Sequence, residues 1–393
     1  MKQDELLMIP GPTPLPDVVR QAMARPAIGH RSPEFKEVMK RVLPKLQWAF
    51  GTKSDVLLIT ASATGAFEAA MVNTLNRGDK ILVLSCGVFS ERWADMGETL
   101  GLEVQRIAVP AGQANTVDSL KKALAQDTDK SIKAVIMTHS ETSTGVLNPV
   151  KALAAEVKAH GALCFVDSVT SLTATDFDFD GWGIDLCVSG SQKGFMIPPG
   201  LAFLAISPKA WQAFETCKYP GYYFNFKQYK KAQDQSNTPY TPATHLILAL
   251  EQALLLMEQE GMEQRIARHQ KLQQMVRSGI KALGLSPLVE ADGEASTAVT
   301  SVLPPDGIAV ADIRSGLKNG FGIIVADGQK DLKGKIFRIG HLGYVFDRDV
   351  YGTLSALETV LANLGVSVTP GAAAAAAKAV AAACGESRQP AQV

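Results

Sequence analysis

At 393 residues the chain exceeds a usual single domain and predicts two packed lobes. Hydrophobic residues make up 46% and charged residues 20%, and 39 basic side chains balance 39 acidic ones, so no net field recruits nucleic acid or an anionic membrane. The five cysteines (Cys86, Cys164, Cys187, Cys217, Cys384) are scattered, with no C-x-x-C and no metal-like spacing with histidine, which fits a reducing compartment and buried thiols.

The start, MKQDELLMIPGPTPLP, lacks the apolar stretch of a signal peptide and the Arg/Ser bias of a transit peptide. No window approaches the roughly 18 uninterrupted apolar residues of a membrane span, so a cytoplasmic chain is expected. Ile9 to Pro16 carries four prolines and a glycine and reads as an extended arm. Short apolar runs then follow at Val56–Thr60, Ile81–Ser85, Ala134–Thr138, Leu163–Val166, Leu186–Ser189 and Ala202–Ile206. Helix-period stretches separate them, among them Gly65–Leu75, Ser90–Leu100 and Pro149–His160, the last closed by Gly161. This alternation predicts an α/β lobe with a mostly parallel sheet covered on both faces, whose ligands sit beyond the carboxyl ends of its strands. After Pro242 a helical stretch runs to about Leu283. Shorter elements follow to about Leu364 and predict a small α+β lobe. The expected division is an extended N-terminal arm (1–20), a large lobe (21–282), a small lobe (283–368) and an alanine-rich tail (369–393). The tail has high helix propensity but no clear partner face, and no function is expected there.

Three strand exits carry chemistry. In TASATGAFEAA (Thr60–Ala70) a strand meets a helix whose first turn holds Ser62, Ala63, Thr64 and Gly65. Small residues there leave backbone N–H groups and the helix dipole open to a phosphate, although a plain Ser/Thr N-cap reads the same way. The glycines match neither G-x-G-x-x-G nor the Walker pattern, so nucleotide binding gains no support. The run ALCFVDS (Ala162–Ser168) is a buried strand ending in Asp167, which either caps a turn or faces a protonated ring nitrogen of a cofactor. In SGSQKGFMIPPG (Ser189–Gly200), glycines and prolines present Lys193 at the sheet edge. A lysine amine there can form an imine with a carbonyl cofactor, but the segment alone equally admits a solvated lysine. The three together point to one site.

At these residues the sequence resembles the class V aminotransferases of the fold type I pyridoxal 5'-phosphate (PLP) enzymes. It is similar in particular to alanine–glyoxylate and serine–glyoxylate (serine–pyruvate) aminotransferases and to the cyanobacterial group labelled soluble hydrogenase 42 kDa subunit. The scattered cysteines give hydrogenase metal chemistry no ligand set. The resemblance rests on PGPTPLP, GHRSPEF, TASATGAFEAA, THSETSTGV, VDSVTSL, SGSQKGFMIPPG and FRIGHLG, and covers the chain except its tail. It implies a PLP-dependent transferase fold: a mostly parallel seven-stranded sheet in the large domain and a small α+β C-terminal domain.

The resemblance also implies roles. Lys193 would be the Schiff-base lysine and the acid/base at the substrate's Cα. Asp167 would pair with the pyridine nitrogen, while Ser62, Ala63, Thr64 and Gln192 would hold the phosphate. Phe89 would stack on the ring, where many members have Trp, and Thr142 would bond the ring hydroxyl. Arg338, in IFRIG, would clamp the substrate's α-carboxylate, with a structural salt bridge as the other reading. Thr238 and Thr241 of SNTPYTP would complete the phosphate site of a neighbouring subunit in a homodimer with shared active sites, although the usual pattern has Tyr at the Thr238 position. His30, Arg31 and His139 read as supporting residues. The implied reaction moves an amino group from serine or alanine to glyoxylate or pyruvate. A lyase or hydrolase of the same class, such as a desulfurase, and a non-catalytic PLP-fold subunit are the competing readings. The first lacks a Cys in a small-lobe loop, since beyond residue 217 there is only Cys384.

Overall fold

The computed structural model describes residues 5–385. Its strands in chain order begin with β1 (Leu6–Met8), β2 (Asp55–Ile59), β3 (Lys80–Ser85), β4 (Glu103–Ala108), β5 (Ile132–Thr138), β6 (Ser140–Glu141) and β7 (Val146–Leu147). They continue with β8 (Leu163–Asp167), β9 (Leu186–Gly190), β10 (Ala202–Ile206), β11 (Val299–Val302), β12 (Ile323–Asp327) and β13 (Phe337–Gly340). Seven of them form one sheet in the order β2-β10-β9-β8-β5-β3-β4. All neighbours in it are parallel except β10, which runs antiparallel to both β2 and β9. This is the mostly parallel α/β sheet that the sequence predicts.

Its central strands carry buried apolar runs because both faces are covered, with Lys133 near the start of β5 exposed. Alternate residues serve the two faces: Val166, Met137 and Phe203 lie in one core, and Phe165, Ile136 and Leu204 in the other. β4 is different, and no apolar run announces it. It is an edge strand paired only with β3, and its sequence EVQRIA is largely exposed. Arg106 on this edge bonds Glu91 at 3.1 Å and Glu98 at 2.7 Å, so a charged side chain covers the edge.

The register sets the site. Thr138 pairs with Asp167 across β5 and β8, and Ala202 pairs with both Ile59 and Gly190. The exits of β2, β5, β8 and β9 therefore open on one sheet edge.

A second, four-stranded sheet has the order β1-β12-β13-β11. β1 belongs to the N-terminal arm, and it lies parallel on β12. The arm then crosses Gly340, where an added Cβ would stand 2.1 Å from the carbonyl carbon of Ile9. The extended stretch ends at Pro16, and Asp17–Met23 is helical. The helical stretch beyond Pro242 is two helices, Thr244–Glu260 and Met262–Ala282, divided at Gly261 with φ +79°. No helix among the described residues is long and apolar enough to cross a membrane.

The alanine-rich tail does have a partner face. Ala372–Ala383 is a helix whose Ala373 and Ala377 are fully buried in the core that holds Leu272, Met275 and Val276 of helix Met262–Ala282. One-carbon side chains leave no hydrophobic stripe to read, but they let two helices approach closely. Residues 386–393 of the predicted tail lie outside the described residues. Ala377→Leu adds volume where no space exists and is expected to cost about 1–3 kcal/mol. Urea unfolding measures it, and an unchanged midpoint would remove the docked helix.

Candidate active site

Lys193 follows β9 in the loop Ser191–Gly200 and is 7% exposed. Its Nζ donates to the carbonyl of Pro10 at 2.5 Å, so the N-terminal arm lies across the amine. Gly11, at φ +133°, makes this approach possible, since a Cβ there would come within 2.7 Å of the lysine Cδ. Thr13 extends the contact, its N–H donating to Gln192 O and its hydroxyl to Lys193 O, both at 3.2 Å. Burial, reinforced by the Arg338 guanidinium, pushes the amine down to about 8, while Asp167 and Glu141 oppose the shift.

Asp167 closes β8 and is buried, its carboxylate accepting from the Val169 N–H at 2.9 Å. Burial pushes this carboxyl up to about 7 against that bond, with Glu141 adding to the rise and Lys193 opposing it. A cation placed beside Asp167 would restore its ionised form.

The segment after β5 brings two more groups. The Thr142 hydroxyl shares a 2.6 Å hydrogen bond with that of Thr170. Glu141 is fully buried, and it accepts from the Phe89 N–H at 3.1 Å, the Ser90 N–H at 3.0 Å and the Ser143 hydroxyl at 2.6 Å. It thus caps the helix Val88–Thr99 from outside and fixes the half-buried Phe89.

At the β2 exit, Ser62 is the N-cap of helix Ala63–Thr74, yet its side chain makes no capping bond. Among the described residues no acceptor is bonded to the Ala63 or Thr64 N–H. A plain N-cap does not describe this turn, and an anion does fit it. Ala63 and Gln192 meet over Gly190, where an added Cβ would stand 3.2 Å from the Ala63 Cβ and 3.2 Å from the Gln192 Oε1. Arg92 donates to the Thr64 hydroxyl at 3.1 Å and lies over the Phe89 ring at 4.8 Å.

Arg338 comes from β13 in the other sheet and is 5% exposed. Nε donates to Asp327 O at 2.8 Å and Nη1 to Thr142 O at 2.9 Å, with Gln329 Oε1 at 3.3 Å. Among the described residues no carboxylate forms an ion pair with it, so the structural salt bridge is absent and a buried guanidinium is held by neutral carbonyl groups. Burial lowers its pKa to about 10, which still leaves it cationic at neutral pH.

Thr238 is buried with its hydroxyl donating to Tyr240 O, and Thr241 is exposed; no hydrogen bond joins either to Lys193, Asp167 or Ser62. Arg31 donates to Asn237 Oδ1 at 2.9 Å and Thr238 O at 2.6 Å, supporting that segment. His30 is half-buried. The His139 ring packs between Phe177 and Trp182, and burial pushes it down to about 4, which makes it a neutral core residue. Cys86, Cys164 and Cys187 are buried, and burial raises their thiols. No group of three or more His, Cys, Asp or Glu side chains among the described residues is placed to hold a metal ion.

Glu141, Arg92 and the Pro10–Gly11 peptide are additions to the residues named from sequence. Two had a signal. Glu141 is the sole charge in an otherwise uncharged run, THSETSTGV, and Arg92 stands one helical turn after Phe89 and shares its face. Nothing in PGPTP announces that a carbonyl meets the lysine.

The family model of the class-V aminotransferases matches residues 12–337. A curated relative named soluble hydrogenase, small subunit, from Synechococcus sp. is 48% identical over 97% of this chain and 99% of its own. Serine–glyoxylate aminotransferase of Hyphomicrobium methylovorum is 39% identical, covering 94% and 93%. Among solved structures, the ureidoglycine–glyoxylate aminotransferase of Bacillus subtilis superposes with a TM-score of 0.91 at 28% identity, covering 97% of this chain and 98% of that one.

The lowered Lys193 amine has a direct consequence. Its reactive neutral fraction grows as pH rises through about 8 rather than through the ordinary 10.5. Reductive labelling with an aldehyde at a series of pH values, with the Lys193 peptide quantified by mass spectrometry, is expected to show that midpoint. A midpoint near the ordinary lysine value would contradict the described burial.

Proposed function

Because the chain belongs to the class-V aminotransferase family, we propose that it moves the amino group of serine or alanine to glyoxylate or pyruvate by a ping-pong route, with PLP held at Lys193. The observation that carries this reading is Arg338: a buried guanidinium that forms no ion pair with a carboxylate among the described residues and acts electrostatically on the lysine amine. Such a group fits the α-carboxylate shared by amino and 2-oxo acids. Glyoxylate as acceptor gains support from the names of the Hyphomicrobium and Bacillus relatives.

The residues present also fit the cofactor. Ser62, Ala63, Thr64 and Gln192 would receive its phosphate, Phe89 its ring face and Thr142 its ring hydroxyl. Asp167, raised by burial, would regain its charge against the ring nitrogen. Thr238 and Thr241 would serve the phosphate of a neighbouring subunit in a homodimer. When bound, PLP supplies a carbonyl that takes up an amine and a ring that withdraws electrons from the donor's Cα.

The chain's own side chains do the rest. Arg338 fixes the donor's carboxylate and so turns its Cα–H toward Lys193. Lys193 Nζ, as the neutral amine, would take the Cα proton. Asp167 keeps the opposite end of the site anionic while this occurs. The donor's nitrogen would be retained at the site while water supplies the oxygen of the departing 2-oxo acid, and for the acceptor, which takes up that nitrogen and releases water, Lys193 would return a proton to Cα.

Purified protein reconstituted with PLP is expected to change its cofactor absorbance on addition of serine or alanine, and glyoxylate or pyruvate should restore it. Lys193→Ala should abolish turnover, and full turnover in that variant would sink the mechanism. Arg338→Lys keeps the charge but loses the fork. Charge-assisted hydrogen bonds contribute about 1.5–3 kcal/mol, so kcat/KM for the amino donor should fall about 10- to 100-fold. A fall below about threefold would move the carboxylate site elsewhere.

A further inference from the structure

Arg265 lies on helix Met262–Ala282, outside the residues assigned to the site, and is 1% exposed. Each of its guanidinium nitrogens has its own acceptor. Nε donates to the carbonyl of Thr173 at 3.1 Å, Nη2 to the carbonyl of Gly194, and Nη1 to Glu260 at 2.9 Å. Thr173 stands in the turn that follows Asp167, and Gly194 directly follows Lys193. One side chain therefore ties together the two segments that carry the carboxylate and the amine.

The join has no slack. Thr173 holds a left-handed φ of +68°, and an added Cβ on Gly194 would stand 2.3 Å from its hydroxyl and 2.6 Å from Leu172 O. The network also reaches the other sheet. Glu260 accepts from Arg268 Nε at 2.5 Å, and Arg268 Nη1 donates to Gly343 O at 3.1 Å and Val345 O at 2.8 Å. Those carbonyls lie in the segment after β13, the strand that carries Arg338. His269, kept neutral by burial, adds a parallel link, because its Nε2 accepts from the Gly343 N–H at 3.0 Å and Nδ1 then donates to Arg265 O at 2.7 Å.

Buried ion clusters add little stability over apolar side chains of similar volume, and removing one member leaves a charge stranded. Such a cluster is better explained by geometry than by energy. We propose that Arg265 is a positioning residue that sets Lys193 against Asp167, and that Glu260 and Arg268 extend this setting to the Arg338 strand. The inference rests on the roles given to Lys193 and Asp167 above.

The test uses the full-length protein reconstituted with PLP. Arg265→Met is expected to lower kcat about 10²-fold, the cost of roughly 1 Å of misplacement. It should also shift the pH midpoint of the absorbance of Lys193-bound cofactor and the aldehyde-labelling midpoint of Lys193 in the cofactor-free protein. Arg265→Lys can pair with Glu260 but cannot reach both carbonyls, so it should recover the unfolding midpoint and leave kcat and both pH midpoints displaced. If Arg265→Met fails to fold, Arg265→Lys decides. Wild-type kcat and pH midpoints in Arg265→Lys, or a loss of stability alone in Arg265→Met, would overturn the proposal and make the cluster structural. If the wild type forms no cofactor bond at Lys193, the functional reading itself has failed, and that result is independent of either variant.

Discussion

The site depends on one constraint: Lys193, Arg338, Asp167 and Glu141 are all withdrawn from water around one sheet edge. Ionised groups in such surroundings need compensation, and here the cations receive it from neutral acceptors. Lys193 uses the Pro10 carbonyl, and Arg338 uses the carbonyls of Asp327 and Thr142. The carboxylates, for their part, are engaged by backbone N–H groups at Val169, Phe89 and Ser90. Peptide dipoles solvate a charge without cancelling it. Arg338 therefore remains a full positive charge toward an incoming anion, and Asp167 gains when a cation arrives.

This arrangement requires two sheets to meet at a fixed distance. Lys193 and Asp167 stand on the seven-stranded sheet, and Arg338 stands on the four-stranded one. The N-terminal arm bridges them from one side: its β1 is hydrogen-bonded to β12, and its Pro10 carbonyl holds the lysine. The Arg265–Glu260–Arg268 cluster bridges them from another. The cluster ends on the backbone carbonyls of Thr173, Gly194, Gly343 and Val345, and the arm adds a backbone bond from the Thr13 N–H to Gln192 O, which is a stiffer way to hold a distance than side-chain tips alone.

The parts legible in the sequence are those with local causes. Doubly buried strands leave unbroken apolar runs, so β2, β3, β5, β8, β9 and β10 stand out, and a charged residue at the end of such a run marks a sheet edge; Asp167 and Lys193 were visible on that ground. β4 left no run because an edge strand has no second face to bury. The Ala373/Ala377 face was invisible because alanine is equally at home on a buried or an exposed helix face. Arg265 was illegible for a different reason. A charged residue in a long polar-looking helix reads as solvated, and only tertiary packing reveals that the carbonyls of Thr173 and Gly194 converge on it from distant parts of the chain, beside the nearby Glu260.

The same edge also imposes a direction on whatever binds. The turn at Ser62–Thr64 offers the Ala63 and Thr64 N–H groups, which have no acceptor among the described residues, and lies at the level of Gly190, beside the lysine loop. Asp167 lies one strand further along, past β9. A molecule with an anionic end and a cationic ring atom thus has one orientation that satisfies both, and reversing it would set an anion against a carboxylate and a cation against a helix N-terminus. Arg338, carried by the second sheet, adds a further positive charge close enough to act on the Lys193 amine. The Lys193 amine feels both of those charges at once, its pKa lowered by the Arg338 guanidinium and raised by Asp167.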